Sequence, residues 1–66
     1  MLLKIIVDGQ VYYPALTDDA KLEDAQAVAK QGASGELAYF QFETSDKEII
    51  TLGCEALKRA VYIITE

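Results

Sequence analysis

The stretch Leu2-Leu3-Lys4-Ile5-Ile6-Val7-Asp8-Gly9-Gln10-Val11-Tyr12-Tyr13-Pro14 decides the fold class. Leu3, Ile5 and Val7 alternate with Leu2, Lys4 and Ile6, the two-residue period of a strand. Asp8-Gly9 is a two-residue turn signal, because a type I′ turn needs positive φ at both central positions and Gly9 adopts it without steric cost. Gln10–Tyr13 returns as a second strand, and Pro14, which has no N–H to donate, ends it or leaves it at an edge. Leu2–Tyr13 therefore reads as a β-hairpin.

Moving outward, Thr17-Asp18-Asp19 offers three N-cap residues in succession, and Glu23 and Asp24 fall near a first helical turn where carboxylates complement the helix dipole. Leu22, Ala25, Val28 and Ala29 recur at helical spacing, predicting a helix over Asp19–Gln31 with Lys30 in its last turn and Gly32 as the left-handed residue after it. The apolar stripe of this helix is mostly alanine, so it needs docking to be stable.

Gly32-Ala33-Ser34-Gly35 reads as a connector. Leu37–Glu43 alternates as a strand with Ala38, Phe40 and Phe42 on one face. Thr44-Ser45-Asp46-Lys47 is a turn, and Glu48–Leu52 returns to complete a second hairpin. Gly53 interrupts the pattern, Cys54–Arg59 is expected to form one short helical or 3₁₀ turn, and Ala60–Thr65 is a final strand. On that strand Val61 and Ile63 oppose Tyr62 and Ile64.

The order β-β-α-β-β-β defines an α+β fold of about five short antiparallel strands and one helix. Two architectures satisfy it: a curled open sheet with the helix on one face, or a small bent barrel. The tight hairpin, short helical turn and last strand of the final thirty residues or so are similar, in element order, to the end of small SH3-like barrels. No binding motif of that family accompanies the similarity, and a fold of this kind implies no function.

Sixty-six residues make a single compact domain, residues 1–66. A chain this short buries only about 60% of its unfolded surface, and its core supplies roughly 3–5 kcal/mol. Its one cysteine, Cys54, rules out an internal disulfide, and the absence of histidine removes the usual structural zinc sites. No cofactor or metal is expected. The hydrophobic fraction of 52% lies outside the disordered regime. No apolar run reaches the length of a membrane span, and Met1-Leu2-Leu3-Lys4 lacks the features of a secretion signal, so a cytoplasmic, non-membrane protein is expected.

Eleven acidic residues against six basic give a net charge of −5. That disfavours nucleic acid and anionic lipid as partners and suits a basic protein surface. A nucleic-acid-associated small barrel remains the alternative reading, but only Lys58-Arg59 form a basic pair, and aromatics do not interleave with the basic residues. An enzyme ranks last: the commonest general base is missing, no triad is available, and the glycines at 9, 32, 35 and 53 fit no phosphate-binding loop. Cys54, at the start of a short helical turn, reads as a small packing residue rather than a nucleophile. Asp18, Asp19, Glu23 and Asp24 lack the ligand spacing of a calcium loop and read as helix-capping residues.

The tyrosines carry the functional expectation. Tyr12 and Tyr13 point to opposite strand faces, and Tyr39 and Tyr62 lie opposite Phe40/Phe42 and Val61/Ile63. Large amphipathic rings on a wetter face are common interface anchors. Tyr12, Tyr39, Tyr62 and Ile64 are therefore the expected partner-binding residues. The chain reads as a small acidic protein-interaction module (an adaptor, regulator or inhibitor, compositionally similar to phage or mobile-element accessory proteins) acting by docking on a protein partner. A homodimer is the related variant. Both faces of the first and last strands are apolar, so the sheet either curls to bury both or leaves one for a second chain.

Overall fold

The computed structural model describes residues 1–17 and 19–66. Its elements are β1 (Leu2–Val7), β2 (Gln10–Tyr12), α1 (Leu22–Ser34), β3 (Tyr39–Glu43), β4 (Ile49–Gly53), α2 (Cys54–Arg59) and β5 (Val61–Thr65). Asp8 and Gly9 take φ of 51° and 83°, the paired positive values of the expected type I′ turn.

The strands form two antiparallel sheets, one ordered β2-β1-β5 and the other the β3-β4 hairpin. The sheets touch along the backbone at one corner, where Pro14 bridges Thr44 and the Ala15 N–H donates to the Glu43 carbonyl at 2.8 Å. They do not close into a barrel. Pro14 supplies the physical reason: without an N–H it cannot extend a two-sided ladder, so pairing across the corner stays short.

Register fixes which residues lie inside. Ile5 on the central strand pairs with Tyr12 on one side and Tyr62 on the other, and Leu3 pairs with Ile64. Paired side chains share a face, so Tyr12, Tyr62 and Ile64 lie on the same side as the buried Leu3, Ile5 and Val7. In the hairpin, Phe40 pairs with Leu52 and Phe42 with Ile50. The two inner faces meet around Leu57 of α2, which is fully buried. Tyr12 meets Phe42 edge-on at 6.2 Å between ring centres, and Phe40 packs on Phe42 at 5.3 Å.

The helices differ from expectation in role and bounds. The short α2 fills the core, while α1 packs mainly on α2 and on β5. α1 starts at Leu22, not Asp19, because Lys21 is extended (φ −107°, ψ 154°) after a turn in which the Ala20 N–H donates to the Thr17 carbonyl. Asp24, three residues inside, accepts from the Lys21 N–H at 3.3 Å. Asp18, one of the expected caps, lies outside the described residues. The helix also runs past Gln31: Gly35, at φ 82°, is the left-handed terminator, with its N–H on the Gly32 carbonyl and the Glu36 N–H on the Gln31 carbonyl. Lys30 is thus not in the last turn, and Gly32 is a buried interior position.

Candidate functional site

Because the inner face of the three-stranded sheet makes the core, its outer face is what the molecule presents. Ile6 pairs with Val11 on β2 and with Val61 on β5, and Lys4 pairs with Ile63. With Leu2 these residues form one continuous apolar surface. Leu2, Val11, Tyr13, Val61 and Ile63 are all exposed, Val61 by 54%. Among the described residues the main contacts of β1 and β5 with α2 and α1 serve the inner side, and the residues of this outer face stay exposed. At one end Met1, Leu2, Tyr13, Pro14 and Leu16 line an open depression of about 450 Å³.

One charge stands within this surface. The Lys4 ammonium lies 5.9 Å from the centre of the Tyr13 ring, close enough for cation–π attraction. Among the described residues no carboxylate pairs with it; the ion pairs are Lys58–Glu55 at 3.5 Å and Arg59–Asp8 at 3.1 Å, both exposed. The face is therefore apolar with a single cation near its middle, on a chain of net charge −5.

The structure separates the residues singled out in the sequence. Tyr39 is exposed by 62% on the far side of the β3-β4 hairpin. Tyr12, Tyr62 and Ile64 are half-buried against the core. Tyr62 belongs to a specific internal arrangement: its hydroxyl donates to the Leu57 carbonyl at 2.9 Å, and the ring rests against the bare backbone of Gly32. Burial raises the Tyr62 phenol above its ordinary value. These four residues form no common surface.

The residues that do form one, Leu2, Ile6, Val11, Tyr13, Val61 and Ile63, were missed as a group for a definite reason. On β1 and β5 both faces are apolar, and a two-residue period cannot choose between equally apolar faces. The signal was limited to that two-sided apolarity, which required a cover for one of the faces.

Cys54 begins α2, half-buried, with its thiol directed to the Gly35 carbonyl at 3.8 Å, a contact that ties the end of α1 to the start of α2. Asp19 is exposed, and hydrogen bonding to Thr17 holds its carboxyl below the ordinary range. Among the described residues no three acidic, cysteine or histidine side chains gather as a metal site, and no helix is long and apolar enough to cross a membrane. No family model matches this chain, and neither curated proteins nor solved structures yield a match.

Proposed function

We propose that this protein is a small interaction module that acts by binding rather than catalysis, docking on a larger protein through the outer face of its three-stranded sheet. The observation that carries the reading is the unpaired apolar surface of Leu2, Ile6, Val11, Tyr13, Val61 and Ile63. Contiguous apolar patches beyond a few hundred Å² are uncommon on monomeric domains, and they mark interaction sites. Lys4 sets the chemistry of the occupant: an apolar surface carrying a carboxylate for the ammonium to meet. A second copy fits less well, since a two-fold contact centred on this face would bring two Lys4 ammonium groups together between chains that each carry −5.

The same reading treats the two sheets as an opened small barrel of the SH3-like kind. What supports it is the strand path, with β5, β1 and β2 in one sheet and the Pro14–Thr44 bridge leading into β3 and β4. The absence of histidine from the sequence supports the non-catalytic part.

The test compares the wild-type chain with a V61E/I63E double variant as immobilised baits in extract of the native host, after circular dichroism shows both folded. Light scattering of the free protein accompanies it. The expected result is a monomer and a protein retained by the wild type but lost with the variant. Equal retention by both baits, or a wild-type dimer abolished by the double substitution, overturns docking on a larger partner at this face.

A further inference from the structure

A second surface stands on different observations. β2 is the edge of its sheet, paired with β1 on one side only. Beyond its other side the chain crosses at Pro14 to the Thr44 bridge, which leads into the β3-β4 hairpin. The gap is a cleft of about 310 Å³. Four consecutive residues of the first hairpin, Gln10 through Tyr13, line it. Successive side chains of a strand point to opposite faces, so residues of both faces lining one cleft place it along the strand's edge, where alternate residues turn their backbone groups away from β1.

The rest of the lining comes from the second hairpin and includes Asp46, Glu48 and Ile50. Asp46 and Glu48 are exposed and take part in neither ion pair among the described residues. Among the described residues no lysine or arginine lines the cleft, and Lys47, between Asp46 and Glu48 in the chain, is not part of its lining. The site thus combines a strand edge, apolar lining from Val11, Tyr12 and Ile50, and two carboxylates that join no ion pair among the described residues. An extended chain satisfies the first through main-chain hydrogen bonds and the second with alternate side chains. Arginine or lysine satisfies the third.

We infer that this cleft binds an extended peptide segment of a partner protein that adds as a strand to the open edge of β2 and places arginine or lysine side chains against Asp46 and Glu48. A second copy of this chain does not supply that segment, because its adjacent basic pair, Lys58 and Arg59, lies in α2 and is already paired with Glu55 and Asp8. The inference stands apart from docking on the outer sheet face, although Val11 and Tyr13 border both surfaces.

Titration of the ¹⁵N-labelled protein with an acetylated, amidated heptapeptide alternating valine and arginine tests it, with glutamate replacing arginine in a control peptide. The expected result is saturable shifts at the amides of Val11, Tyr12, Thr44, Ser45 and Asp46, absent with the glutamate peptide. A D46N/E48Q double variant, substituted at exposed positions and checked by its own spectrum, weakens binding by about fivefold or more. Three outcomes overturn the inference: no shifts at millimolar peptide, shifts spread equally over Glu23 and Asp24 of α1, or undiminished binding by the double variant. Shifts at Val61 and Ile63 report on the outer face instead, so the two readings fail separately.

Discussion

Gly32 of α1 and Tyr62 of β5 are in such close contact that a β-carbon on the glycine would collide with the tyrosine hydroxyl. That hydroxyl is already committed to the Leu57 carbonyl of α2. One residue pair therefore joins the long helix, the short helix and the edge strand.

Gly32→Ala is expected to destabilise the protein although alanine is the better helix former. The gain in helix propensity is about 1 kcal/mol, whereas forcing a methyl group into a packed site costs about 1–3 kcal/mol. Chemical denaturation should show a net loss, and Tyr62→Phe in the same chain should recover part of it by removing the colliding oxygen.

The Tyr62 phenol is raised by burial above its ordinary value of 10.0. Its neutral form is favoured in the folded state, so its contribution to stability is complete below pH 10 and is lost as pH rises through the folded-state value. Urea midpoints measured across that range should fall more steeply for the wild type than for Tyr62→Phe. At neutral pH the phenylalanine variant should be less stable by about 1 kcal/mol, the value of the hydrogen bond to Leu57.

Leu57→Ala should be the most damaging single truncation in the short helix. The side chain is fully buried between the two sheets, and such truncations cost about 2–5 kcal/mol. That approaches the whole stability expected of a chain this size, roughly 3–5 kcal/mol. Circular dichroism should find the variant largely unfolded at room temperature.

Val61→Thr and Ile63→Thr, made together, should leave stability within about 0.5 kcal/mol of wild type at each site. Both residues are exposed on the outer face, and threonine keeps their β-branched strand preference. A loss comparable to that of Leu57→Ala in thermal melts would show that this face is covered in the folded chain.

Lys47→Gly should stabilise the second hairpin by about 0.5–1 kcal/mol. Lys47 holds φ of 66° in the turn between β3 and β4, with its N–H on the Thr44 carbonyl at 2.9 Å. A lysine there carries the steric penalty of the left-handed region, and glycine removes it. A raised melting temperature checks this prediction.

Local structure was largely legible. Asp8-Gly9 set the first turn, Phe40 and Phe42 marked the inner side of the second hairpin, and Cys54–Arg59 formed the short helix in its expected place. α1 starts later than the cap chemistry of Thr17-Asp18-Asp19 predicts, because the turn closed by Ala20 on Thr17 delays the helix to Leu22. In the sequence Gly32 fits a terminator equally well, because a glycine near a helix end has two uses. Only the approach of Tyr62 distinguishes close packing from a left-handed turn.

The elements and their order are written locally, because turns, caps and alternation depend on neighbours a few residues apart. The net charge of −5 and the absence of histidine are likewise properties of composition alone. Which side of β1 and β5 lies inside depends instead on strand pairing across the chain. Both sides are apolar, and the choice came from the pairing of Ile5 with Tyr12 and Tyr62, which draws those rings onto the core and turns Val11, Val61 and Ile63 outward. Register is a long-range property, and shifting it by one residue exchanges the two faces. Tyr12, Tyr62 and Ile64 are thereby half-buried against the core, Tyr39 stays exposed on the other hairpin, and the aliphatic neighbours form the exposed face.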